Sequence, residues 1–551
     1  MPPGAPGTTG SSIQLYGLSQ WLLLRPLRRL LCAAFDRFLN SWQDVANSLQ
    51  WAFDFNGGLK PVTPAHNLPL TVKSGKIPAD FVGAYLRVGP NAQYWPPNRR
   101  THVFDGDGMV HSIRISNGAA TYHCQYLETP RYVFERLWGM EWFPRIGEFC
   151  GKAGLAKMMT THPAKMRLSG VPAHEQSPAN TAISFTPDGK LWALHETGGP
   201  FRFRLDEAGL PRSIGYDNLG GTLKCPISAH PKFDQRTNEC FFHGRIIMKE
   251  FYMGCIADGR LTDRVNLDMP IGFHHDMFIT ENYAVIVDGS MQMNPMNILK
   301  GGALWDFNPA VKLRFGIYPR AVRKMTKDAF IWVESEEAAD IVHTLYAYDE
   351  GDEIVLWAPL THYREDDPHA KVGVLGNNGA FQMRRIVINL AQKSVRVQEV
   401  PGAEKYETEF PRIRDDRLGM RVRYGYTAMQ QTCNGESEYN FIGILKWDFQ
   451  ECKLAGAISF PQDVIGGEVV FCPSSEVDAA TTGGVFGDDD RGYLGLILWN
   501  QRTQESTFAV YDAKTFLPTP IVELSIPRRV PIGFHAAWIT EEQFQQQLHA
   551  I

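Results

Sequence analysis

The sequence predicts an all-β protein, on three observations. From about Leu68 onward the chain runs as short β-type segments divided by turn residues, as in Ala182-Ile183-Ser184-Phe185, the turn Pro187-Asp188-Gly189 and then Leu191-Trp192-Ala193-Leu194. Similar segments recur at Glu239 to Ile247, Tyr283 to Val287, Glu353 to Trp357, Arg384 to Leu390, Glu438 to Leu445 and Tyr493 to Trp499, and no helical pattern is read between them. Of the sandwich, barrel and propeller architectures this pattern allows, a propeller suits 551 residues best. No WD or kelch repeat is present, so the strand pattern alone leaves all three open.

Ahead of the strands, residues 1–55 read as an extension and 56–551 as one domain. Met1 to Ser12 is rich in Gly, Pro, Ser and Thr and uncharged, without the basic start of a secretory signal. Trp21 to Phe38 then reads as an amphipathic helix that Pro26 can open. Leu27, Leu30, Leu31, Ala34, Phe35, Phe38 and Leu39 share one face, with Arg28, Arg29, Asp36 and Arg37 largely off it. Two outcomes fit: a helix lying in a membrane interface, or one docked on the body of the protein. No apolar run approaches the roughly 20 residues that span a bilayer. Thr160 to Asn180, Met291 to Phe315 and Tyr363 to Gly379 read as long loops on one face of the scaffold.

With 55 basic and 60 acidic residues the net charge is −5, which offers no basic footprint for nucleic acid. Nine cysteines with no CxxC pair point to a reducing compartment, and cytosol and plastid both satisfy that. No phosphate-binding loop, dinucleotide fingerprint or Gly-x-Ser-x-Gly elbow supplies another chemistry.

Of 16 histidines, four stand near strand ends inside distinctive phrases. His230 lies in Ser-Ala-His-Pro-Lys-Phe-Asp, His275 in Phe-His-His-Asp-Met-Phe, His343 in Asp-Ile-Val-His-Thr-Leu-Tyr and His535 in Pro-Ile-Gly-Phe-His-Ala-Ala-Trp. Together with Gly83 to Asn91 and His102 to Met109, these phrases resemble the carotenoid cleavage oxygenases, over about Gly83 to Trp538.

The resemblance implies a seven-bladed β-propeller with a dome of loops and helices over one face. It implies Fe(II) held on the axis by His230, His275, His343 and His535, and Glu196, Glu409 and Glu468 orienting those imidazoles. His274, next to His275, must face the other way in an extended strand. The implied reaction is cleavage of a conjugated C=C bond of a carotenoid or apocarotenoid by O2. A stilbene-cleaving dioxygenase, an isomerohydrolase and a non-catalytic lipid-binding propeller are the alternatives. The apolar stretch around Ile298, Leu299, Leu304 and Trp305 reads as a tunnel mouth or membrane patch, consistent with a peripheral membrane association.

Two departures from the family pattern stand near His343, where Tyr346 and Asp349 replace the common Asn and Glu. They put the local hydrogen bonding in doubt more than the metal. In the stilbene-cleaving branch a lysine engages the substrate phenol, and its counterpart falls near Arg131, a permanently charged side chain that favours a polyene instead.

Overall fold

The computed structural model describes residues 24–43, 57–246, 249–301, 304–322, 324–362, 381–433, 436–474 and 489–550. It contains seven antiparallel sheets of four to six strands and one two-stranded hairpin. From the first blade to the seventh, the innermost strands are Ala536–Thr540, Ala182–Phe185, Lys232–Asp234, Met277–Ile279, Tyr346–Glu350, Glu407–Arg412 and Val470–Pro473.

Strand alternation explains why the ring holds. Successive side chains leave opposite faces of a strand, and here each face meets a different neighbouring blade. In the third blade Phe241 packs toward the fourth, while Cys240 and Phe242 pack toward the second. In the fourth, Val285 and Val287 face the fifth blade, and Ala284 and Ile286 face the third. Every one of the seven seams is filled by its own apolar cluster. Strands buried on both faces appear in the sequence as nearly continuous apolar runs, as in Ile354-Val355-Leu356-Trp357.

Both ends of the chain close the ring. Ala536–Thr540 pairs with Gly83–Asn91, with Gly83 opposite Thr540 and Arg87 opposite Ala536. Thr71–Gly75 meanwhile adds to the outer edge of the seventh blade against Val522–Ile526. The Trp538 indole on the closing strand stacks on Phe81 with ring centroids 4.7 Å apart. It also lies over Gly83, where a Cβ would stand 2.6 Å from Trp538 Cζ2. The glycine that begins the Gly83 to Asn91 phrase is thus required by a tryptophan more than 450 residues later.

The stretch between the first two blades departs from the expected strand-only pattern. It contains helices Pro130–Trp138, Gly151–Met159 and Thr161–Ser169, so Thr160 to Asn180 is partly helical and not one long loop. The first carries conventional end signals: Thr129 accepts from Tyr132 N, Pro130 opens the helix, and Gly139 closes it in the left-handed conformation. Met291 to Phe315 likewise contains a hairpin of Met291–Met293 with Trp305–Phe307, enclosing the short helix Pro295–Leu299. Tyr363 to Gly379 and Trp21 to Leu23 lie outside the described residues. Helix Leu24–Asn40 packs on the helices at 151–169, and together these elements form the dome. No helix among the described residues is long and apolar enough to cross a membrane.

Replacing Trp538 with alanine removes the stacked ring from the closing strand. It is expected to cost about 3–5 kcal/mol and to lower the melting temperature followed by circular dichroism.

Candidate metal centre

Because the blades share one strand order, their innermost strands start at the same end of the axis. His230, His275, His343 and His535 each lie one to three residues before such a strand, on the third, fourth, fifth and first blades. Glu468 precedes the innermost strand of the seventh blade, Glu409 lies on that of the sixth, and Glu196 follows the second strand of the second. Each of the seven blades therefore contributes one of the seven residues.

The four imidazoles turn their Nε2 atoms toward one point. His230 to His275 is 3.0 Å, His275 to His343 is 3.1 Å and His343 to His535 is 3.1 Å. Two imidazoles at right angles around an ion, each at about 2.1 Å, would have nitrogens about 3.0 Å apart, so this spacing fits a metal ion. On the outer side Glu196 Oε1 stands 2.7 Å from His275 Nδ1, Glu409 Oε2 2.5 Å from His343 Nδ1, and Glu468 Oε1 3.0 Å from His535 Nδ1. A carboxylate on Nδ1 fixes the tautomer whose Nε2 lone pair faces inward. Among the described residues, His230 is the one imidazole of the four with no such glutamate contact.

The electrostatics suit a cation. Burial, then the neighbouring imidazoles, pushes His230 well below its ordinary pKa. Burial likewise lowers His535 in spite of Glu468. Burial also opposes charge on His343, but Glu409 together with Asp276 and Glu468 outweighs it and the net shift is upward. Glu196 resists the effect of burial through His275 and falls to about 2. Arg412 and His535 together hold Glu468 down against its burial. Glu196 and Glu468 are thus kept ionised beside the ring of imidazoles, where they would help balance a cation at the centre.

Several residues that complete the site were not singled out from sequence. Asp276 binds Lys232 Nζ at 2.7 Å and accepts from both the backbone N and Oγ1 of Thr344 at 2.8 Å. Lys232 is two residues from His230 and Thr344 adjoins His343, so one buried carboxylate ties three histidine-bearing segments together. Phe273 stacks on His275 at 5.4 Å and 16°. Phe410 lies 5.5 Å from His343 and 5.1 Å from His535. Phe273 could have been found by alternation, being two residues before His275. Phe410 could not, because the pairing register shifts between Glu409 and Arg412.

His274 points away as alternation requires, placing Nε2 2.9 Å from Asp288 Oδ1. Tyr346 accepts from Val422 N at 2.7 Å and Asp349 accepts from Asn282 N at 3.0 Å, so both departures make bonds to adjoining blades. Ile298 is buried, while Leu299, Leu304 and Trp305 are half-buried. Trp305 lies 5.8 Å from Phe273, which sets this hairpin beside the histidines. Arg131 is buried with Nε 3.8 Å from Asp107 Oδ1.

Residues 59–540 match the family model described as retinal pigment epithelial membrane protein. The carotenoid 9,10(9',10')-cleavage dioxygenase 1 of Phaseolus vulgaris is 30% identical over 519 residues, covering 89% of this chain and 90% of that one. The chain belongs to the carotenoid cleavage oxygenase family. A chloroplastic 9-cis-epoxycarotenoid dioxygenase of Oryza sativa subsp. japonica is 29% identical over 550 residues, covering 94% of this chain and 80% of the relative. Among solved structures, the lignostilbene dioxygenase of Pseudomonas brassicacearum superposes with a TM-score of 0.70 at 21% identity, covering 88% of this chain and 97% of its own. A cobalt-substituted Synechocystis oxygenase gives 0.69 at 23%, with 88% and 98% covered. These superpositions establish the family's seven-bladed propeller for this chain.

Substituting Asp276 or Glu468 by the corresponding amide is expected to weaken metal binding about 10- to 100-fold, measured by metal titration of the purified protein. The metal must displace any proton on an imidazole. His343 carries its proton at higher pH than an ordinary histidine does. Metal affinity should therefore fall as the pH drops through that raised value and recover above it.

Proposed function

We propose that this chain is a non-haem iron dioxygenase that cleaves a conjugated C=C bond of a carotenoid or apocarotenoid, giving two carbonyl products. The observation that carries the reading is the convergence of His230, His275, His343 and His535, oriented by Glu196, Glu409 and Glu468, at a point bordered by Phe273 and Phe410. Four neutral imidazoles suit Fe(II), and a bound Fe(II) would supply a site for activating O2. The similarity to carotenoid 9,10-cleavage and 9-cis-epoxycarotenoid dioxygenases supports the substrate class.

The protein's own residues have three tasks. The glutamates keep the imidazole lone pairs inward, and Asp276 holds three of the histidine-bearing segments in register. Phe273, Phe410 and the hairpin residues Ile298, Leu299, Leu304 and Trp305 offer an apolar wall along which a polyene lies. Regioselectivity then follows from where that wall stops the chain relative to the histidines. The exposed apolar side chains of the dome suit a peripheral position on a membrane, where such substrates dissolve.

The test is chromatography with mass spectrometry after iron-loaded protein meets a detergent-dispersed apocarotenal, in air and under argon. Shorter carbonyl products only in air are expected, since C=C and O2 together account for both C=O groups. Products formed equally under argon, or none in either gas, would overturn the reading.

A further inference from the structure

Two networks of buried charge lie outside the ring of ligands. In the dome, helix Leu24–Asn40 turns its polar side inward. Asp36 Oδ2 lies 2.8 Å from Lys165 Nζ, and Lys157 bridges Asp36 at 3.8 Å and Glu148 at 2.5 Å. Arg99 continues the network to Glu148 and Glu141 at 3.2 Å each. Asp36, Glu148 and His162 are close enough to ligate a metal, but Lys157, Lys165 and Arg99 already neutralise the two carboxylates, so this cluster is an ion-paired core and not a cation site.

The second network surrounds His274, the neighbour of the ligand His275. The His274 side chain is 3% exposed and that of Asp288 2%. Both ring nitrogens are engaged. Arg245 donates to Nδ1 at 3.2 Å, which leaves the proton on Nε2, and Nε2 stands 2.9 Å from Asp288 Oδ1. Beyond the ring, Asp288 Oδ2 accepts from Arg314 Nε at 2.6 Å, and the same Arg245 nitrogen donates to Pro270 O at 2.6 Å. Arg245 comes from the third blade, on Glu239–Ile246, while Asp288 and Arg314 come from the fourth, on Tyr283–Asp288 and Arg314–Pro319. Space is closed as well. The Phe251 ring lies 4.7 Å from that of His274, and a Cβ on Gly272 would stand 2.8 Å from His274 Cε1.

This clamp sits behind the metal centre. Successive side chains of an extended segment leave opposite faces, so the direction in which His275 points is set by the roll of the backbone that carries it. Glu196 orients the His275 ring about its own bonds, but it does not fix that roll. A side chain on the opposite face, held at two nitrogens by two different blades, does. The front of the same segment is tied to the Trp305 hairpin, where Phe273 N donates to Met291 O and Met293 N to Ile271 O, each at 2.9 Å. An apolar residue at 274 would fill the space and leave Asp288 and Arg245 each without one buried partner.

We propose that His274 is a positioning residue of the metal centre, clamped between Arg245 and Asp288 so that His275 is aimed at the axis. The inference deepens the oxygenase reading and rests on it for the identity of the metal alone.

The test is titration of the metal-free full chain with Co(II), followed by visible absorption, which reads affinity and coordination geometry together. His274→Leu, which removes both bonds, is expected to weaken binding about 10- to 100-fold and to change the spectrum of the loaded protein. His274→Gln, whose amide can donate to Asp288 and accept from Arg245, should recover most of the affinity and the original spectrum. A side chain that only packs gives the opposite order, with leucine tolerated and glutamine not. Unchanged affinity and spectrum in His274→Leu, or equal losses in both variants, would overturn the proposal. If His274→Leu does not fold, Arg245→Met removes the bond at Nδ1 and leaves Asp288 in place, and full affinity in that variant would refute the clamp. Unsubstituted protein that binds Co(II) yet forms no cleavage products with iron would end the oxygenase reading and leave this inference standing, whereas protein that binds no Co(II) would end both.

Discussion

Closure of the ring by Ala536–Thr540 is the constraint on which the rest depends. That strand is the innermost of the first blade, and His535 is the residue immediately before it. Until the C-terminal segment docks against Gly83–Asn91, the first blade has no inner strand and the axis has only three of its histidines. Completing the fold and completing the imidazole set are one event. Glu468 reinforces the link by accepting from the backbone N of Ala536 as well as contacting the His535 ring.

Much of this was legible in the sequence, for a physical reason. Strands buried on both faces are unmistakably apolar, and the turns between them are polar and glycine-rich, so the all-β class could be read without any relative. Blade number could not, because the seams are filled by different residues at each interface and leave no repeat to count. The four histidines and three glutamates were named from their resemblance to a family, and the structure brings all seven together. Asp276 was passed over because an aspartate beside His275 has no periodic signature. Its importance comes from Lys232 and Thr344, which only the folded ring brings to it.

The dome was the poorly read part. Pro130–Trp138 has a clear helix start at Thr129-Pro130 and a clear stop at Gly139, yet its Tyr, Val, Phe and Trp content resembles the strands around it. Those aromatic residues pack among themselves, as Phe134 does with Trp138 and Trp142. The periodicity of helix Leu24–Asn40 was visible, but periodicity says only that two faces differ. Which face turns inward depends on Lys157 and Lys165, more than a hundred residues away.

Burying Asp36, Glu148, Lys157, Lys165 and Arg99 together is an expensive way to hold a helix, since desolvating each charge opposes the attraction between them. An apolar contact would have been stronger per residue and would have spent the same leucines and phenylalanines on the interior. The arrangement makes sense where those side chains are required outside and the polar atoms must go elsewhere. A propeller axis demands polar ligands at the centre of an apolar ring, and the dome repeats the inversion at its own scale. In both places buried charge sets orientation, of imidazoles in one and of a helix in the other, while apolar packing of the blade seams supplies the stability that permits it.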